Sequence, residues 1–102
     1  MTKESSGALD PLLHQPTRTQ IVAFLCAREE ASFSELKELT GVTDGNLDAH
    51  MKKLIQNQYI NARKAKQLKR MITFYSLTDT GHAAFKDYIA SLQKIIDSSK
   101  HL

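Results

Sequence analysis

Apolar residues recur every three to four positions near the start of the chain, a spacing typical of a helix with one buried face. This helix is predicted over residues 16–28, with Pro16 in the first turn, where its missing N–H is no loss. The predicted buried positions are Ile21, Val22, Leu25 and Cys26. We therefore expect Cys26 to be a small buried core residue rather than a redox-active thiol.

Two further helices follow, separated by a short turn that contains glycine. Ser34 is expected to cap the first of these helices, whose predicted buried positions are Leu36 and Leu39. Gly41 suits the left-handed position that ends a helix. Thr43 is expected to cap the next helix, predicted over residues 44–57. The apolar stripe of that helix consists of Leu47, Met51, Leu54 and Ile55.

The third part of the pattern is a hairpin followed by a long helix. Residues 59–66 and 70–77 are rich in β-branched and aromatic side chains, which predicts two antiparallel strands. Their connection lacks the Asn-Gly or Gly-Gly pair of a tight turn, so we expect a longer, mobile loop. Thr78 is expected to cap a last helix with an apolar stripe over three turns. That stripe consists of Phe85, Tyr88, Ile89, Leu92, Ile95 and Ile96.

The composition is that of one globular domain. The chain has 102 residues, of which 41% are hydrophobic and 25% charged, so a large multi-domain enzyme is excluded. Its single cysteine fits a reducing compartment, and its apolar stretches are too short to span a bilayer. We therefore expect a cytoplasmic protein that has no membrane partner. The polar residues 1–8 are expected to form a disordered start.

Charge is concentrated in one part of the chain. Residues 52–78 contain seven basic and no acidic side chains, whereas acidic residues outnumber basic ones before them. Such a segment is typical of a surface that binds a polyanion, either nucleic acid or a membrane. A solvated lysine face explains the charge alone equally well.

No cofactor, metal or catalytic site is expected. The four histidines are scattered along the chain, and no Cys-x-x-Cys or His-x-x-x-His pair occurs. Asp97 and His101 lie four residues apart, but solvation near the chain end explains them better than a metal shared with a second subunit. No glycine-rich loop precedes a helix, as a nucleotide site would require. We expect a protein that is not an enzyme.

In combination, a capped short helix, a glycine turn, an amphipathic helix and a basic hairpin match a winged helix-turn-helix. The predicted fold is mainly α with a small β-hairpin and a long C-terminal helix. Residues 39–60, LTGVTDGNLDAHMKKLIQNQYI, resemble the turn and recognition helix of the small MarR-like and ArsR-like regulators of bacteria and archaea. Residues 74–85, FYSLTDTGHAAF, resemble their second wing strand and the start of their last helix.

This resemblance implies a dimeric transcription regulator that binds double-stranded DNA. Residues 9–78 would then form the DNA-binding domain and residues 79–102 the dimerisation helix. A second interpretation stays open, in which the winged helix binds a protein or RNA and has no DNA operator of its own. The sequence also leaves open a small-molecule effector and identifies no residue that would bind one.

The face of the third helix opposite its apolar stripe is polar, and its first turn is expected to meet base edges in the major groove. The predicted base-contacting residues are Thr43, Gly45, Asn46 and Ala49. The residues predicted to bind the DNA backbone, from this helix and the wing, are His50, Lys52, Lys53, Arg63, Lys64, Lys66, Lys69 and Arg70. For each residue the alternative is an ordinary exposed side chain, and His50 can instead pack against the preceding helix.

The last helix is longer than a three-helix core obviously covers, which favours a homodimer. A domain of this size is also marginally stable alone, so burial against a partner is plausible. The predicted interface residues are Leu9, Leu12, Leu13, Phe85, Tyr88, Ile89, Leu92, Ile95 and Ile96. The alternative is a long helix that packs only within its own chain.

Overall fold

The computed structural model describes residues 9–100. The disordered start predicted for residues 1–8 therefore lies outside the described residues, as do positions 101 and 102 of the predicted last helix. Within residues 9–100 the chain forms the predicted winged helix-turn-helix, with four helices and three strands. The elements are α1 (Pro16–Cys26), β1 (Ala31–Ser32), α2 (Phe33–Thr40), α3 (Asp44–Gln56), β2 (Ile60–Gln67), β3 (Arg70–Leu77) and α4 (Asp79–Ser99).

The three strands form one antiparallel sheet in the order β1-β3-β2. The long hairpin pairs β2 with β3 from Ile60 opposite Leu77 to Gln67 opposite Arg70. At its base, Ala31 of β1 pairs with Tyr75 of β3. The sequence pattern predicted β1 only as an extended link, because a strand of two residues is too short to show an alternation.

The core lies between the helices and one face of the sheet. Helices α1 and α3 each contribute a buried stripe, α2 contributes Leu36, and the sheet, α4 and the segment before α1 close the space between them. Leu13, Ile21, Val22, Leu25, Ala31, Leu36, Leu47, Met51, Leu54, Ile60, Tyr75 and Tyr88 are the buried apolar residues. Among residues 9–100 no polar or charged side chain is buried, so this core is held by apolar packing.

Three residues that were predicted to be buried are exposed. Cys26, Leu39 and Ile55 each lie at the edge of the apolar stripe of their helix. On α1, for example, Cys26 is about 90° around the helix axis from the middle of the buried stripe. Periodicity locates the centre of such a stripe, but its width depends on the elements that cover it.

The helix ends are fixed by local hydrogen bonds. The N-cap of α2 is Ser32 and not Ser34, because Ser32 forms a capping box in which its side chain accepts from the Glu35 N–H at 3.1 Å and its own N–H donates to the Glu35 carboxylate at 2.9 Å. Thr43 and Thr78 cap α3 and α4 as predicted. Gly41 ends α2 with a φ of 73°, in the left-handed region.

The prediction of a longer loop at the tip of the hairpin was wrong. The turn consists of two residues, Leu68 and Lys69, between the paired Gln67 and Arg70. Both turn residues have positive φ, 50° and 69°, as a tight hairpin turn requires. The pairing of the strands therefore imposes a turn that neither residue favours by itself.

Gly81 lies in the first turn of α4, directly against the turn that follows α3. A Cβ atom at this position would overlap the carbonyl oxygen of Tyr59 and lie 3.0 Å from its carbonyl carbon. The N–H of Thr78 donates to the same oxygen at 3.0 Å. Only a residue without a side chain fits here unless the backbone moves.

We expect Gly81→Ala to lower the free energy of unfolding by about 1–3 kcal/mol, because the added methyl group meets backbone that cannot rotate away. Gly45→Ala is the matched control, since Gly45 is also in the first turn of a helix but has no atom within 4 Å of a Cβ position. That substitution should raise the stability by up to about 1 kcal/mol. Urea unfolding followed by circular dichroism measures both changes, and equal effects would contradict the close contact at Gly81.

Candidate nucleic-acid interface

Helix α3 buries one stripe and presents the opposite face to solvent. Leu47, Met51 and Leu54 are fully buried, which fixes the rotation of the helix about its own axis. The predicted base-contacting residues all lie on the exposed side; these are Thr43, Gly45, Asn46 and Ala49. The space above Gly45 is open, so another molecule can approach the backbone there closely.

Two ion pairs flank this exposed face. Lys52 pairs with Asp48 at 3.0 Å along α3, and Lys37 of α2 pairs with Asp44 at 2.7 Å. All four side chains are largely exposed, and pairs of this kind contribute little to stability. Lys52 can therefore exchange its carboxylate for a phosphate, and Lys53 has no acidic partner within residues 9–100.

The His50 side chain is partly buried and contacts Arg18 of α1. The Arg18 guanidinium lies 3.0 Å from His50 Nδ1, and Arg18 Nε also donates to the carbonyl of Leu12 at 2.6 Å. Arginine can only donate, so this geometry requires that His50 Nδ1 accept. Partial burial lowers the pKa of His50, and the positive charges of Arg18 and Lys53 lower it further. The sequence predicted phosphate binding or packing against the preceding helix, α2, whereas the structure places the His50 ring against Arg18 of α1.

The wing is β2, β3 and the turn between them, residues 60–77. At its base, Arg63 is engaged within the chain, because Nε donates to Glu30 at 2.8 Å, Nη2 donates to the same carboxylate, and the guanidinium lies 4.7 Å from the centre of the Phe74 ring. Hydrogen bonding to Arg63 lowers the pKa of Glu30. This triad braces the base of the wing and occupies a guanidinium that was predicted to bind DNA.

The basic residues nearer the tip remain available. Lys64, Lys66, Lys69 and Arg70 are exposed and form no ion pair within the described part of the chain. Residues 66–71 are exposed on both strands, so the outer part of the hairpin extends away from the core. It forms a positively charged projection beside α3.

Two residues of this surface were missed from the sequence, Arg18 and Glu30. Each is separated by more than thirty positions from its partner, His50 or Arg63. Arg18 lies on a helix whose apolar spacing gives no reason to single out a polar residue. Glu30 is one of several acids before the basic segment, and no local signal distinguishes it.

The residues predicted to form the dimer interface fall into three groups by exposure. Leu13 and Tyr88 are buried within the chain itself, at 0% and 4% exposure, so they cannot contact a partner without unfolding. A second group is partly buried against the core: Leu9, Leu12, Phe85 and Leu92. Ile89, Ile95 and Ile96 are exposed on α4, at 44%, 44% and 45%. These three isoleucines form the apolar surface that α4 presents to solvent.

An open groove of about 480 Å³ lies between the start of α1 and α4. It is lined by His14, Gln15, Pro16, Thr19, Gln20, Ala23 and Tyr88, and the Tyr88 hydroxyl is 3.0 Å from His14 Nδ1.

Within residues 9–100 no helix is long and apolar enough to cross a membrane. The same residues contain no group of three or more side chains suited to hold a metal ion.

Known proteins share this architecture. Residues 17–96 match the family described as winged helix DNA-binding domain. The chain is 34% identical over 91 residues to the uncharacterized protein MJ0432 of Methanocaldococcus jannaschii, across 89% of this chain and 96% of that protein. A structure described as a transcriptional regulator homologue from Pyrococcus horikoshii is similar with a TM-score of 0.79 and 33% identity, over 85% of this chain and 86% of that one.

A Bacillus subtilis structure is also similar, that of PadR solved in complex with operator DNA. Its TM-score is 0.66 at 20% identity, over 74% of this chain and 47% of that one. At this level of identity the likeness shows the fold alone. It agrees with the arrangement of α3 and the wing described above.

We expect the pairing of His50 with Arg18 to make stability depend on pH. The folded pKa of His50 lies below the unfolded value near 6.5, so its contribution is complete above about pH 6.5 and is lost as the pH falls below that value. His50→Gln keeps an acceptor but removes the titration. Urea midpoints measured from about pH 8 to pH 5 should fall less steeply for the variant, and parallel curves would contradict the assignment.

Proposed function

Since the chain belongs to the family of winged helix DNA-binding domains, we propose that it is a sequence-specific transcriptional regulator that binds double-stranded DNA as a homodimer. The observation that carries this proposal is the juxtaposition of an exposed polar face on α3 with an acid-free basic wing that follows it directly. The regulator homologue from Pyrococcus horikoshii supports it. An enzymatic activity is not part of the proposal.

Helix α3 is of a size to read bases. Its 13 residues are about 20 Å long and fit lengthwise in a major groove about 12 Å wide. With the apolar stripe held by the core, the N-cap and the first two turns present Thr43, Gly45, Asn46 and Ala49 to solvent. The Asn46 amide can form two hydrogen bonds with adenine, and the Ala49 methyl can contact a thymine methyl. The open space at Gly45 lets the helix approach the base edges.

In this proposal the basic residues bind the phosphates of the DNA backbone. Lys52 and Lys53 at the far end of α3, and the wing cations Lys64, Lys66, Lys69 and Arg70, bind phosphates on either side of the groove. The wing lies along the backbone or in the adjacent minor groove. We assign Arg63 and His50 to positioning, because their side chains are held by Glu30 and Arg18.

The proposed dimer forms through α4. The chain exposes Ile89, Ile95 and Ile96 on one helix of 21 residues, and pairing of two such helices would remove them from water. The other proposed contributors, Leu9, Leu12, Phe85 and Leu92, are partly buried against the core of their own chain. A two-fold dimer would place two α3 helices on two half-sites.

The second candidate uses the same wing for a protein or RNA partner. The basic charge of residues 52–78 favours it as much as it favours duplex DNA. The two candidates differ in selectivity, since a regulator must prefer one duplex sequence over others by a large factor. A binding module without an operator shows no such preference.

Removal of charge from the wing should weaken binding to every duplex. We expect the triple variant Lys66→Ala, Lys69→Ala, Arg70→Ala to flatten the plot of log affinity against log salt by roughly 0.9 per lost phosphate contact. The matched control removes three charges from α4 and its C-cap through Lys86→Ala, Lys94→Ala and Lys100→Ala and should keep the slope. Fluorescence anisotropy between about 50 and 200 mM salt measures both. If both triple variants have the same slope, the wing does not touch DNA.

Substitution of Asn46 and substitution of Lys53 should weaken DNA binding in different ways. Asn46→Ala removes a base contact and should cost about 1–3 kcal/mol on the preferred duplex but little on scrambled DNA. Lys53→Ala removes a phosphate contact and should weaken both duplexes alike. Competition binding with a duplex selected from genomic fragments decides this, with thermal melting to show that both variants fold. Equal losses on both duplexes for Asn46→Ala would exclude base reading, and the absence of any preferred duplex would favour the second candidate.

The dimer is tested on the exposed residues of α4 alone. Ile89→Lys with Ile96→Lys places two charges on the proposed seam without touching a fully buried side chain, so we expect a folded monomer. Ala90→Lys with Ser98→Lys adds the same charge to the opposite face and should remain a dimer. Sedimentation of all three proteins at micromolar concentration gives the mass, and a monomeric wild type would exclude the dimer.

A further inference from the structure

The tip of the wing carries a leucine that the fold does not use. Leu68 is 95% exposed and Met71, three positions later, is 63% exposed. The other exposed large apolar side chains in the described part of the chain are only 37% to 45% exposed. Leu68 therefore differs from the ordinary partly covered residues at the edge of a core.

The backbone at this position is unfavourable for leucine as well. Leu68 has a φ of 50° and Lys69 a φ of 69°, in the region that asparagine and glycine adopt more readily in hairpin turns. Leucine at the tip gains no burial and does not favour the turn. Departures from local preference are expected where a residue serves function instead of folding.

Positive charge surrounds this apolar tip. Lys66, Lys69 and Arg70 are its near neighbours, and Met71 pairs with Lys66 across the two strands, so their side chains share one face of the hairpin. Residues 52–78 contain no acid. A partner that matches this tip has negative charge on both sides of an apolar surface, such as a stack of bases between two rows of phosphates.

We propose that Leu68 is an apolar wedge that enters the minor groove and partly unstacks one base step, while Lys66, Lys69 and Arg70 bind the flanking phosphates. The minor groove is about 6 Å wide and lined by phosphates, and leucine and methionine are among the side chains that kink DNA in this way. In this proposal Met71, which is exposed three positions after Leu68, covers the opened step. The consequence is a duplex bent at the wing.

This inference rests on the proposed function, because it takes the duplex on α3 as the partner of the wing. A membrane surface also attracts basic and apolar groups. Membrane binding by peripheral elements uses a wide apolar face on an amphipathic helix, however, whereas here two apolar side chains lie at one narrow hairpin tip. The duplex is the partner that this shape and charge favour.

The experiment measures the bend directly. A duplex of about 30 base pairs, enriched from a random library on the wild-type protein, carries a donor and an acceptor dye at its two ends. Leu68→Asn suits the turn and removes the wedge, whereas Leu68→Met keeps an apolar wedge. We expect the wild type and Leu68→Met to bend the duplex by at least about 20°, and Leu68→Asn to bind with the same salt slope and lose the bend.

Each other outcome has a defined meaning. Equal bends for the wild type and Leu68→Asn, or a straight duplex with the wild type, overturn the wedge and leave DNA binding in place. Enrichment of no duplex overturns the proposed function and the wedge together. Binding to vesicles of phosphatidylglycerol and phosphatidylcholine that Leu68→Asn abolishes, without a change in DNA bend, assigns the tip to membranes. Circular dichroism and thermal melting show that both variants fold.

Discussion

The contact of the first turn of α4 with the backbone at Tyr59 determines how the parts of this protein are placed. The Tyr59 carbonyl accepts from the Thr78 N–H at 3.0 Å, and the Thr78 hydroxyl donates to the Gln58 carbonyl at 2.6 Å. Gln58 and Tyr59 connect α3 to β2, and Gly81 lets α4 lie directly on them. The end of α3, the base of the wing and the start of α4 thus share one junction.

The same junction reaches the segment before α1. The Tyr59 hydroxyl donates to the Asp10 carboxylate at 2.6 Å, and burial together with this bond raises the pKa of Tyr59. Leu13 from this segment is completely buried, and Arg18 ties the Leu12 carbonyl to His50 on α3. The chain before α1 is therefore linked to the end of α3 through Tyr59 and to His50 through Arg18.

The sequence could predict the features that depend on local chemistry. The order of the helices, the caps at Thr43 and Thr78, the left-handed Gly41 and the hairpin all follow from spacing and residue type, and the family resemblance is confirmed by the match over residues 17–96. Features that need distant residues were out of reach. Gly81 looks like an ordinary residue of a helix start until the Tyr59 carbonyl is placed against it.

The dimer interface predicted on α4 also depended on contacts with distant residues that the sequence does not reveal. Tyr88 and Ile89 are neighbours on one predicted stripe of α4, yet Tyr88 contacts the core and His14 while Ile89 is exposed. The difference depends on tertiary packing and not on the local sequence.

The basic surface shows the same dependence. Arg63 and Lys64 are neighbours in a basic run, but Glu30 forms hydrogen bonds with Arg63 and leaves Lys64 without an ion pair in the described residues. A charge count therefore locates the basic surface without identifying which of its members are available.

The two parts of the candidate interface differ in stiffness, and the difference suits their tasks. Helix α3 is fixed by three buried side chains and by Arg18, so its first turn meets a partner with a defined geometry. The wing is held at its base by the buried Ile60 and Tyr75, by the pairing of β1 with β3 and by the contacts of Arg63 with Glu30 and Phe74, whereas residues 66–71 are exposed. A hairpin held at one end adjusts to the course of a flexible backbone. The proposed function thus assigns selectivity to α3 and adaptation to the outer part of the wing.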